Sequence, residues 1–203
     1  MGDDRRGNPL VIRKYVLALA LLALPIGTVV AAGATANASV RPHTAVTFTG
    51  SVKCKITGSI TATPPLLLAT PQTTTIKLTA SAKTCTGNTT QGGVTLTTGA
   101  ISGKVVAKNL DCESLLSGVP NPKGTIKWKG TGGTISPTNF TLSKGAASFG
   151  SSTTKITFTS TQTGSFKGTG SSSAIIKKTE SQLISECEGT GIAKLVISSG
   201  TIS

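Results

Sequence analysis

Val46-Thr-Phe-Thr-Gly-Ser-Val-Lys-Cys-Lys-Ile-Thr-Gly-Ser-Ile-Thr-Ala62 carries the reading on which the fold rests. Val46, Phe48, Val52, Cys54, Ile56 and Ile60 fall on one face, and Thr47, Thr49, Ser51, Lys53, Lys55 and Thr57 on the other. A two-residue period of this length is a half-buried β-strand, with Gly50 or Gly58 as the place to bend. The same alternation recurs in Thr75–Cys85, Val94–Ala107 and Gly124–Gly130, with Val94–Ala107 open to division near Gly99. Shorter strands are expected over Asn139–Ser143, Lys155–Thr163, Gly164–Gly168 and Ser173–Lys177, and a last one over Ile192–Ile202. The expected class is all-β: an antiparallel sandwich or barrel with one or two short helical turns.

Two segments break the alternation. Asp111 is placed to N-cap a helical turn that ends at Gly118, with Leu115 and Leu116 packing inward. Thr179-Glu-Ser-Gln182 is a capping box, opening a short helix through Cys187 with Leu183, Ile184 and Cys187 on one face. The run Thr63-Pro-Pro-Leu-Leu-Leu-Ala-Thr-Pro71 is expected to end the first strand, because proline has no N–H for a ladder.

Upstream, Arg5, Arg6, Arg13 and Lys14 precede an apolar run, Tyr15–Ala32, and a small-residue exit at Ala34-Thr-Ala-Asn-Ala38. That layout predicts a signal peptide over residues 1–38 and a single secreted β domain over 39–203. The competing reading is an uncleaved membrane anchor, since the run nearly spans a bilayer; Pro25 and Gly27, which interrupt it, favour cleavage. With the leader removed, no transmembrane span remains. Of 20 basic and 7 acidic residues, four and two lie in the leader, so the exported portion carries +11, almost all of it lysine.

The order of features resembles a group of uncharacterised, exported four-cysteine β-rich proteins of actinomycete bacteria. The resemblance rests on a cysteine in the first strand, a second at a strand end, a Cys-x-x-Leu turn, IKWKGTGGTISPT, TGSFKG and the closing CEGTGIAKLVISSG. It covers most of the exported portion, implies export and an all-β domain, and brings no assigned catalytic residues.

Exported cysteines at wide spacing are disulfides rather than zinc ligands. If Val46–Ala62 and Thr75–Cys85 form a hairpin centred near Ala69, Cys54 lies opposite residue 84 or 85, which pairs it with Cys85 and leaves Cys112 for Cys187. That second bridge gathers Asp111, Glu113, Glu186 and Glu188, four of the five acidic residues of the exported portion. Glu186 and Glu188 stand at a helix C-terminus, where the macrodipole disfavours negative charge, so a positive partner is expected. Lys108 or Lys194 is one candidate, and Ca²⁺ held by the four carboxylates is the other; no other cofactor is implied.

Enzymatic readings find little support. The single histidine, His43, sits in the N-terminal tail, and Ser152-Thr-Thr-Lys155 matches S-x-x-K ahead of a strand rather than on a helix. Trp128 alternates as a core residue, and Thr157, Thr159, Thr161 and Thr163 make a solvent face. What remains is a lysine face, with Lys53 and Lys55 around Cys54, Lys127 and Lys129 around Trp128, and Lys77 and Lys83 between; its plain reading is a soluble basic surface that discourages edge-to-edge aggregation. The expectation is a non-enzymatic, secreted or envelope-associated binding or structural domain, drawn to an anionic envelope polymer or lipid surface. Nucleic acid is disfavoured by compartment and by the lack of stacking aromatics. A secreted enzyme of unrecognised type is the alternative.

Overall fold

The structure is a computed structural model that describes residues 44–117, 122–143 and 145–203; the side chains of 115–117 fall outside that set. The expected leader over 1–38, His43, and the inward packing of Leu115 and Leu116 therefore lie outside the described residues.

β1 (Val52–Leu66) and β2 (Gln72–Gly87) form a long antiparallel hairpin. Its pairs, Thr57 with Ser81 and Ile60 with Leu78, centre on residue 69, as the spacing predicts. β3 (Thr90–Gln91) leads into β4 (Val94–Leu110), which pairs back on the free side of β2. α1 (Cys112–Ser117) follows, then β5 (Lys123–Thr131), β6 (Thr138–Leu142), β7 (Ala146–Phe149), β8 (Thr154–Gly164), β9 (Gly168–Ile176), α2 (Glu180–Glu188) and β10 (Ile192–Ile202). Neighbours run β2-β1-β10-β9-β8-β6-β5-β4, and the β2–β4 pairing closes the ring into an eight-stranded antiparallel barrel. Closure leaves no long unpaired edge to be protected from other chains.

Alternation turns Val52, Cys54 and Ile56 inward and Lys53, Lys55 and Thr57 outward. The outward positions are dominated by threonine, serine and lysine, the reverse of a bilayer-spanning barrel, which faces its apolar side chains outward. Among the described residues no helix is long and apolar enough to cross a membrane.

The interior is filled from both ends. At one end Phe48, Trp128 and Phe166 make an aromatic plug, with ring centroids 5.5 Å and 5.4 Å from Phe166 to Phe48 and Trp128. Its polar atoms are paired: Trp128 Nε1 donates to Thr138 Oγ1 at 2.8 Å, the Thr138 hydroxyl donates to the Ser165 carbonyl, and Phe48 N donates to Ser165 Oγ at 3.1 Å. At the other end α2 lays Leu183 and Cys187 onto Leu66, Ile176, Ile192 and Leu195. Cys54–Cys85 ties the hairpin, and Cys112–Cys187 ties α1 to α2, the two bridges that the spacing predicts.

Several boundaries differ from expectation. β1 begins at Val52; Val46 instead makes a parallel bridge to Ile135, and Phe48 turns fully inward. β1 continues through Pro64 and Pro65 because they lie past its last pair with β2, Thr63 with Thr75, and inside an irregularity of the β10 ladder, so no N–H is required there. β4 is one strand of 17 residues, undivided at Gly99. Gly164–Gly168 is not a strand of its own but the β8–β9 turn, with Phe166 at φ 56° dropping into the core. Ile184 is turned to solvent, so only Leu183 and Cys187 form the buried face of α2.

Candidate functional site

The lysines that flank Cys54 and Trp128, Lys53, Lys55, Lys127 and Lys129, are outward and exposed, as are Lys77 and Lys83. They do not form one cluster. β2 and β4 stand between β1 and β5, so the two pairs are about 14 Å apart along the sheet at the usual strand spacing.

The register assembles a tighter set. Lys77 on β2 lies opposite Lys104 on β4, which lies opposite Lys123 on β5. On the far side of Lys77 the same row runs through Thr61 to Lys194 on β10. Opposed β-carbons on neighbouring strands are roughly 5 Å apart, so three ammonium-bearing stems leave the sheet side by side. The next outward row is hydroxylated throughout: Thr79, Ser102 and Thr125, with Asn139 beyond. Thr125 Oγ1 donates to Asn139 Oδ1 at 2.9 Å. The two rows border a shallow depression of about 360 Å³, and a second of about 430 Å³ continues past Lys123 to Asn139, Thr141, Thr161 and Thr163. Thr157, Thr159, Thr161 and Thr163 of β8, read as a solvent face, are outward and exposed as expected.

No acid balances this row. The described acidic residues, Asp111, Glu113, Glu180, Glu186 and Glu188, all belong to α1, α2 or the residue before α1. The salt bridge found among the described residues is Lys178 with Glu186. Like charges placed directly opposite each other are destabilising, and Lys77, Lys104 and Lys123 are aligned in this way.

The carboxylates behave differently from expectation. The Cys112–Cys187 bridge joins their segments, yet among the described residues no three of His, Cys, Asp and Glu are placed to share a cation. Asp111, Glu113, Glu186 and Glu188 therefore do not converge as a Ca²⁺ site. Each has a local explanation or faces water. Asp111 Oδ1 accepts from Ser114 N at 2.8 Å, and hydrogen bonds from the Ser114 side chain and N–H hold its carboxyl below the usual value. Glu186 takes Lys178, the residue before the helix N-cap, as its partner rather than Lys108 or Lys194. Glu113 and Glu188 are exposed.

The remaining sequence motifs keep their modest readings. Trp128 is buried inside the barrel and offers no stacking platform. Ser152 lies in the turn before β8 and Lys155 on that strand, so they share no helical turn. Compared with family models, with curated proteins and with solved structures, the chain has no match in any of the three.

Proposed function

We propose that this protein is a secreted or cell-envelope-associated, non-enzymatic β domain that holds a linear anionic envelope polymer across its strands. The observation that carries this reading is the unneutralised row Lys77, Lys104 and Lys123. A polymer bearing repeated phosphate or carboxylate groups can run along that row, meeting one ammonium per strand and hydrogen-bonding to Thr79, Ser102 and Thr125. Lys53, Lys55, Lys127 and Lys129, farther along β1 and β5, widen the basic surface and add to long-range attraction. A lipid surface fits less well: the exposed large apolar side chains, Val106, Phe149, Ile184 and Val196, are dispersed over four elements and make no patch to enter acyl chains. Two disulfides suit an oxidising compartment, consistent with the leader and with the resemblance to exported proteins.

The test is retention of the disulfide-bonded protein on immobilised inorganic polyphosphate, with phosphatidylglycerol vesicles in parallel, from low to high salt. Three exposed charge contacts at up to about 1 kcal/mol each correspond to a roughly ten- to hundredfold loss when removed. Lys77→Gln, Lys104→Gln and Lys123→Gln together should produce that loss, and changing Lys53, Lys55, Lys127 and Lys129 to Gln a smaller one. Binding that ignores both salt and the first triple change would sink the proposal. Equal or stronger retention on vesicles would transfer the surface to lipid.

A further inference from the structure

The core is divided. One cluster surrounds Phe48, Trp128 and Phe166, the other surrounds Leu66, Leu183 and Leu195, and the half-buried Phe158 packs against both. Between them lies a cavity of about 100 Å³ whose walls are almost entirely apolar, including Ile101, Ile126, Phe140, Ile156 and Leu195.

Its origin is in the choice of residues at mid-height. Ala80, Gly103, Ser172 and Ala174 line it, all short side chains on β2, β4 and β9. Packed interiors rarely leave voids larger than a water molecule, and eight-stranded barrels either fill with side chains or enclose one small ligand. Larger residues at those four positions would have joined the two clusters into one.

Water is a poor occupant. An ordered buried water needs two to four polar partners. Here the polar groups gather at one side, and the Ser160 hydroxyl already accepts from Gln162 Nε2 at 3.0 Å. The Ser172 hydroxyl makes no hydrogen bond among the described residues. Among the described residues no charged side chain lines the space, so an ion would enter without compensation.

We infer that the barrel interior is a binding site for one small, uncharged, mainly apolar molecule, of about the size of a single six-carbon ring, with room for one polar group beside Ser172 and Gln162. This site is separate from the lysine surface, lies on the opposite face of the same strands, and stands whether or not the polymer reading holds.

Benzene is the probe, titrated into the disulfide-bonded protein while methyl resonances of Ile126 and Ile156 are followed by NMR and the unfolding midpoint by calorimetry. Saturable shifts at these interior methyls and a midpoint raised by roughly 2–4 °C are expected. Benzoate, which carries a charge, should produce neither. Ala174→Leu fills the space and should abolish both benzene effects. Benzene shifts that persist in Ala174→Leu, or that appear only at surface methyls, would overturn the inference. If Ala174→Leu does not fold, the titration of the unaltered protein decides: no saturable shift at Ile126 and Ile156 means a packing void and no site.

Discussion

Two glycines show how single residues set the barrel wall. A β-carbon at Gly99 would stand 2.6 Å from Trp128 Cε3, and one at Gly124 would stand 2.4 Å from Phe140 Cζ. Each glycine therefore gives an aromatic ring on the next strand a place to lie across the backbone. Trp128 cannot retreat, because its ring packs edge-on to Phe166 and its indole N–H is held by Thr138. Gly99→Ala should destabilise by roughly 1–3 kcal/mol, the usual cost of overpacking, read as a lower midpoint in chemical denaturation with an unchanged m-value. An unchanged midpoint would mean that the ring is free to move. In sequence Gly99 marks a point of division within Val94–Ala107; in the fold it is the seat of the tryptophan. Alternation says that Trp128 faces inward, but not which strand's backbone it covers.

Among the elements, α2 was the most legible. Thr179 Oγ1 accepts from Gln182 N at 3.3 Å and Gln182 Oε1 accepts from Thr179 N at 2.9 Å, the reciprocal pair that Thr-x-x-Gln announces. The helix covers one end of the barrel, so fraying it exposes Leu183. Thr179→Ala should lower stability by about 1 kcal/mol, with Thr179→Ser close to neutral, measured by urea unfolding. Equal losses in the two variants would show that the methyl, not the cap, matters. β1 and β2 were also legible, since the hairpin needs only a local centre of symmetry. β3 and β7 were not foreseen, being two and four residues long with no period to detect. Gly164–Gly168 misled for a related reason: Phe166 between the polar Ser165 and Lys167 imitates alternation, whereas the positive φ of Phe166 makes it a turn that throws the ring inward.

At the level of the whole molecule, the two disulfides do unequal work. Cys54–Cys85 joins strands that are already hydrogen-bonded neighbours, at a sequence separation of 31, while Cys112–Cys187 spans 75 and pins α2 across the barrel end. In the chain-entropy model the longer loop contributes about 4.5 kcal/mol and the shorter about 3.7 kcal/mol. Serine at both Cys112 and Cys187 should therefore cost more stability than serine at Cys54 and Cys85, compared by denaturant unfolding. The reverse order would place the main constraint in the hairpin.

Local periodicity was enough to establish an all-β chain, the inward or outward sense of most long-strand side chains, the hairpin centre, both disulfides and both helix starts. Each of these depends on residues close in sequence, on a single symmetric fold-back, or, for Cys112–Cys187, on what that fold-back leaves unpaired, so the information is present in spacing. Three features depend on several strands meeting in a particular register. One is the pairing of β1 with β10, far apart in sequence, which makes a barrel and not a sandwich. Another is the alignment of Lys77, Lys104 and Lys123, which a slip of one residue would abolish by turning a lysine inward. The third is the void between the two core clusters, which exists because Ala80, Gly103, Ser172 and Ala174, unremarkable apart, converge at one height of a closed ring. Register and closure minimise the energy of the entire sheet at once, and no stretch of the chain carries them alone.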